Sequence, residues 1–74
     1  MFRTLLKSGT IAVDDHRFQV HYYQLHTPRR AERYSVEVRL ADRDRVVFDD
    51  DSLAELECKV AQMAPMVVLS RMRT

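Results

Sequence analysis

A chain of 74 residues that is 46% hydrophobic, with one glycine and two prolines, suffices for one small folded domain and is too apolar for an intrinsically disordered protein. Twelve Lys and Arg against eleven Asp and Glu give a net charge of +1, which excludes the large basic excess of dedicated nucleic-acid-binding domains. Cys58 is the single cysteine, which excludes an internal disulfide and favours a reducing compartment.

The sequence shows no pattern that exports the chain or inserts it into a membrane. The apolar run within residues 1–9 is shorter than a secretory signal, and nowhere do about eighteen apolar residues follow one another. We therefore expect a cytoplasmic protein that forms one small α+β domain over residues 1–74 and has no membrane partner.

Four segments have the alternating or β-rich composition of strands: residues 10–13, 17–25, 34–40 and 45–48. Polar turns at 14–15 and 42–44 and a loop at Pro28 separate them. The first strand could extend upstream to Phe2, with Gly9 as a β-bulge. Connections this short predict an antiparallel β-meander.

Alternation within the second and third strands predicts which face of the sheet is buried. Aromatic and β-branched residues alternate there with polar ones, so each strand has one apolar and one polar side. The predicted core face carries Phe18, Val20, Tyr22, Tyr34, Val36, Val38 and Leu40.

The segment after the fourth strand has the features of a helix start. Ser52 stands three residues before Glu55, a spacing that predicts a capping box in which each side chain accepts the other residue's backbone N–H. Glu57 projects beside the apolar stripe of this helix and needs a cationic partner or solvent. The stripe repeats at steps of three and four and consists of Leu53, Leu56, Val60 and Met63.

Pro65 leaves two interpretations of the C-terminal segment open. A proline inside a helix costs about 3 kcal/mol or more, which predicts a helix over about 52–63 and a short strand over about 66–71, parallel to the fourth strand. The alternative is one kinked helix that continues to Arg71. The predicted fold is α+β, an antiparallel β-meander of four strands covered on one face by a single α-helix.

Candidate metal and catalytic residues have simpler structural explanations. The histidines are five residues apart, so successive ones alternate between strand faces: His16, His21 and His26. Carboxylates at the helix start favour the helix dipole and lack the spacing and glycine of a calcium loop: Asp49, Asp50, Asp51, Glu55 and Glu57. Cys58 has no sequence partner that marks it as a nucleophile. We predict no catalytic residue, no metal, no cofactor and no small-molecule substrate.

Two groups of polar residues are candidate binding surfaces. One is a polar sheet surface on the outer faces of the second and third strands, made of His21, Tyr23, Glu37 and Arg39. The other is a basic loop that could contact nucleic acid or another anion through His26, Arg29, Arg30 and Arg33.

Three hypotheses from different functional classes remain. The leading one is a non-catalytic interaction module that self-associates or binds another protein, through a free sheet edge or a helix stripe of small residues around Cys58. Its basis is a surplus of apolar residues that two layers cannot all bury: Leu25, Val47, Leu69 and Met72. The last of the three hypotheses is an enzyme that uses Cys58 or a histidine.

The second hypothesis is a nucleic-acid-binding accessory or antitoxin-like protein that uses the Arg29–Arg33 loop. The predicted order of meander, helix and strand resembles that of HicB-type antitoxin domains. This resemblance concerns element order, and no residue motif carries it. It therefore transfers neither a site nor an activity.

Overall fold

The computed structural model describes residues 2–29 and 32–72. Their elements are β1 (Phe2–Val13), β2 (His16–His26), β3 (Arg33–Ala41), β4 (Asp44–Asp50) and α1 (Leu53–Met72). Each strand pairs antiparallel with its sequence neighbour, in the order β1-β2-β3-β4. The helix packs against β3, β4 and β1, which confirms the predicted α+β meander covered by a single helix.

A two-residue turn joins β1 to β2. Asp14 and Asp15 have φ angles of 48° and 67°, so both lie in the left-handed region that a type I′ hairpin turn requires. Aspartate tolerates this region better than most residues. The predicted turn is therefore confirmed.

The irregularity in β1 lies at a different residue from the predicted one. The register with β2 shifts between Leu5 and Lys7, so Leu6 is the extra residue. Gly9 lies in regular register opposite Val20, and open space surrounds the position that a Cβ would occupy. The predicted bulge at Gly9 is wrong, because a glycine does not by itself show where two strands lose register.

The hydrophobic core lies between α1 and one face of the sheet. Val36 and Val38 are fully buried, and Val20 is 2% exposed. The half-buried Phe18 and Tyr34 pack against this cluster, so the face predicted from alternation is confirmed. The buried core consists of Val13, Val20, Val36, Val38, Leu56, Val60, Ala64 and Val68.

The C-terminal segment is helical, and the predicted strand over 66–71 is wrong. The helix continues through Pro65 to Met72, as in the alternative interpretation. Val68 is 1% exposed and Leu69 packs against the core, and a helix ending at Met63 would not carry them there. Their burial offsets the one backbone hydrogen bond that the proline removes.

This longer helix changes two sequence-based inferences. Met63 is 46% exposed while its neighbour Ala64 is buried, so the buried stripe continues at steps of four rather than through Met63. The element order that resembled HicB-type antitoxin domains included a strand after the helix, and the described residues contain no such strand. No helix in the described ranges has the length and apolar character needed to cross a membrane.

The helix begins at the predicted place with a different set of capping partners. The Glu55 N–H donates to Ser52 Oγ at 3.3 Å, as predicted. The Ser52 N–H donates to Asp50 Oδ1 at 3.1 Å instead of to the Glu55 carboxylate. Ser52 therefore caps the helix while Asp50 takes the second half of the capping box.

Candidate functional site

The side of the sheet that faces away from α1, called here the open face, carries the predicted polar sheet surface. The register places His21 opposite Glu37, and the His21 and Tyr23 ring centroids are 6.5 Å apart. Arg39 lies on the same face opposite Gln19. The four predicted residues therefore share one surface, because side chains alternate along both strands.

Glu37 is the most enclosed charged residue on the open face. It is 7% exposed, although none of the described helices and strands covers this side of the sheet. Its Oε1 accepts a hydrogen bond from Arg3 Nη1 at 3.0 Å and another from Arg45 Nη1 at 2.8 Å. A carboxylate removed from water needs such partners, and here they come from the two edge strands.

Arg3 also covers an aromatic ring. Its guanidinium carbon lies 4.1 Å from the centroid of Tyr23, within the range of a cation–π contact. The hydrogen bond to Glu37 raises the pKa of Arg3 above its ordinary value. Arg3 and Arg45 were not among the site residues predicted from the sequence. Alternation would have placed Arg45 on this face, but Arg3 precedes the bulge at Leu6, and only the register of that part of β1 with β2 places it.

The predicted basic loop does not form one cluster. His26 bonds Thr4 at 2.7 Å on the side of the sheet that faces α1, whereas Arg33 lies on the open face opposite Leu25. Arg29 is exposed in the turn after Pro28, and Arg30 lies outside the described residues.

Arg33, the last cation of this loop, is already neutralised. Its Nη2 lies 3.8 Å from Asp49 Oδ1, and its Nη1 donates to Asp51. These ion pairs join the start of β3 to the end of β4, so they hold two strands together at the sheet end where α1 begins.

Asp50 and Glu57, two of the other acidic residues near the helix start, are paired with lysines. Lys59 Nζ lies 2.8 Å from Asp50 Oδ2, and Lys7 donates to Glu57. The Lys59 hydrogen bond, followed by the Ser52 N–H, lowers the pKa of Asp50. Lys7 thus supplies the cationic partner that the sequence required for Glu57. The described residues hold no group of three His, Cys, Asp or Glu side chains suited to a metal ion.

The histidines and the cysteine lie on separate surfaces. His16 and His26 face the same side as the core and His21 faces the other. Cys58 is exposed on α1, together with the small residues Ala54 and Ala61. No two successive histidines of β2 therefore lie on the same face of the sheet.

The two edges of the sheet differ in charge. β4 contains Asp44, Arg45, Asp49 and Asp50 among its seven residues. β1 has no proline and no acidic residue, and its last six residues, Ser8 to Val13, carry no charge. No described strand pairs with the outer side of β1. The outer side of β4 is also unpaired among the described strands, but β4 carries charges along its length, so β1 is the less protected edge.

Comparisons with protein-family models, curated proteins and solved structures found no match for this chain.

Proposed function

We propose that this protein is a non-catalytic interaction module that self-associates by pairing β1 with β1 of a second copy. The observation that supports this proposal is the uncharged, uncovered edge formed by residues 8–13. An unpaired strand edge presents a row of backbone donors and acceptors, and another strand satisfies them without any side-chain pocket.

The chemistry of the two edges favours β1 over β4. Proteins protect free edges with charged side chains, prolines and bulges, and β4 has charges along its length. In β1 the bulge at Leu6 and the charged Arg3 and Lys7 protect the first half only. An antiparallel pair of β1 strands would form a two-fold symmetric dimer with one continuous eight-stranded sheet.

β1 also carries exposed apolar side chains, which lie in the half that precedes the proposed contact. Phe2, Leu5 and Leu6 are 82%, 53% and 40% exposed, and all three belong to β1. Of the apolar residues predicted to exceed what two layers can bury, Val47 on the β4 edge is 49% exposed. Leu25 and Leu69 are half-buried. The side chain of Met72 lies outside the described residues.

The test is the mass of the protein in solution, measured by light scattering over a range of concentrations. Thr10 is exposed in the middle of the uncharged edge, so Thr10→Lys brings two like charges together at a β1 pairing. We expect a dimer for the wild type and a monomer for Thr10→Lys. Gln62→Lys on the exposed surface of α1 makes the same charge change and should remain dimeric.

Two results would contradict the proposal. A wild-type monomer at hundreds of micromolar would exclude self-association, and a Thr10→Lys dimer with an unchanged dissociation constant would exclude β1 as the contact. Loss of the dimer in Gln62→Lys alone would point to the helix surface instead. Circular dichroism spectra of both variants establish that each one is folded.

The nucleic-acid role of the Arg29–Arg33 loop and the cytoplasmic location remain predictions. The loop has less support than its sequence suggested, because Arg33 is paired with Asp49 and Asp51. Only Arg29 among its described arginines has no carboxylate partner.

A further inference from the structure

β2 and β3 separate at the end of the sheet near the β3–β4 turn. Their ladder ends at Gln19 opposite Arg39, although β2 starts at His16 and β3 continues to Ala41. A depression of about 330 Å³ lies between the separated ends, and Arg17 and Arg39 line it. The backbone groups that face this gap are outside the ladder.

A second depression, of about 260 Å³, shares Arg39 with the first. Arg43 and Arg45 line its other parts. Arg39 and Arg45 lie directly opposite each other on β3 and β4, an arrangement that is destabilising for like charges. Arg45 turns toward Glu37 at 2.8 Å, and the wall that the two depressions share consists of Arg39, Ala41 and Asp42.

Positive charge exceeds negative charge among the residues that line the two depressions. Within the described residues, Arg17, Arg39 and Arg43 are exposed and form no ion pair, whereas Arg45 is paired. Two carboxylates also line the depressions. Asp44 is bound by Arg71 on the helix, and Asp42 has no ion-pair partner in the described part of the chain. Three unpaired arginines against one unpaired carboxylate leave an excess of two positive charges.

We propose that the two depressions form one binding site for phosphoryl groups, with Arg17 and Arg39 as the principal contacts, Arg43 at the rim and the Gln19 amide as a neutral donor. A guanidinium presents paired N–H donors that match two oxygens of a phosphate. A bound anion also removes the repulsion between Arg39 and Arg45. The ligand is either a small phosphorylated compound or the backbone of a single-stranded nucleic acid.

This site is independent of self-association through β1. It lies between the ends of β2 and β3 and beside the β3–β4 turn, whereas the proposed dimer contact is the outer side of β1. Loss of phosphate binding with an intact dimer, or the reverse, would therefore distinguish failure of one proposal from failure of the other.

The experiment compares Arg39→Gln with Arg29→Gln. Both residues are exposed arginines without an ion pair in the described structure, and they lie at opposite ends of the sheet. Each variant and the wild type are titrated at low salt with inorganic pyrophosphate, followed by NMR chemical shifts, and with a labelled single-stranded oligonucleotide, followed by fluorescence anisotropy. The probe that saturates identifies the source of the phosphoryl group.

We expect saturable wild-type binding of at least one probe, with shifts centred on Gln19 and Arg39. Arg39→Gln should weaken that binding about tenfold, as for loss of one charge-assisted contact, and Arg29→Gln should leave it nearly unchanged. Absence of saturation with both probes would overturn the proposal. Equal weakening by the two variants would also overturn it. Stronger weakening by Arg29→Gln would overturn it too, and would place the contact at the β2–β3 loop.

Discussion

Glu37 and Arg3 join the centre of the open face to the edge of the sheet. Their side chains meet at 3.0 Å although thirty-four residues of chain separate them, and the Arg3 guanidinium crosses the Tyr23 ring to reach the carboxylate. The contact links β1 to β3, although these two strands are not hydrogen-bonded neighbours in the sheet. It also explains why a charged residue on the uncovered side of a sheet is nearly removed from water.

Replacing Glu37 with Gln should destabilise the fold. The change removes the charge that holds two guanidiniums, and hydrogen bonds to charged groups contribute about 1.5–3 kcal/mol. Because the Arg3 and Arg45 side chains are 48% and 61% exposed, we expect the lower end, about 1–2 kcal/mol. Urea unfolding measures the effect. Asp42→Asn, an exposed carboxylate without an ion pair in the described structure, is the control, and equal losses in both variants would contradict the expectation.

Stability should fall in acid partly through Asp50. Lys59 and the Ser52 N–H lower the folded-state pKa of Asp50 from its ordinary value. A carboxylate with a lowered folded pKa stabilises the protein above its unfolded pKa, and this contribution is lost as the pH falls through the folded value. Wild-type thermal midpoints should therefore drop more steeply than those of Asp50→Asn from about pH 5 to about pH 2. Parallel curves for the two proteins would show that Asp50 does not contribute.

The two residues of the predicted capping box, Ser52 and Glu55, should contribute differently to stability. Ser52→Ala removes the acceptor for the Glu55 N–H and should cost about 1 kcal/mol. Glu55→Gln should change stability by less than about 0.5 kcal/mol, since the Ser52 N–H donates to Asp50 rather than to Glu55. Chemical denaturation of both variants tests this pair. A cost for Glu55→Gln as large as that for Ser52→Ala would restore the reciprocal capping box that the sequence suggested.

Two residues of the predicted helix stripe should respond differently to truncation. Leu56 is fully buried and Met63 is 46% exposed. Leu56→Ala should therefore cost about 2–5 kcal/mol, enough to unfold a small domain at low denaturant concentration. Met63→Ala should cost less than about 1 kcal/mol. Comparable losses in circular-dichroism unfolding curves would mean that α1 is rotated relative to the structure described here.

Replacing Pro65 with alanine should stabilise the protein. Alanine restores the backbone donor for the Ala61 carbonyl, and the gain is partly offset because the unfolded chain loses the rigidity of proline. We expect Pro65→Ala to raise the free energy of unfolding by about 1–2 kcal/mol. Met66→Ala, at a neighbouring position that is 71% exposed, should have little effect. Extended rather than helical Cα chemical shifts over 66–71 in the wild type would contradict the continuous helix.

Local patterns in the sequence determined the sheet and the start of the helix. The alternation around Val36 and Val38 assigns their faces, since side chains on a strand repeat every two residues. Residues 14–15 predict a turn through the backbone preference of aspartate, and Ser52 predicts the helix start through its own side chain. The same alternation placed His21, Tyr23, Glu37 and Arg39 on one face of the sheet.

Only the tertiary structure decided the features that depend on distant parts of the chain. The bulge at Leu6 reflects how β1 meets β2, and the partners of Glu37 are Arg3 on one edge strand and Arg45 on the other. Pro65 opposes a helix locally, but the core accepts Val68 only when the helix continues. Local preferences are worth a few kcal/mol at most, and burial against the sheet supplies a competing free energy that the sequence around Pro65 does not reveal.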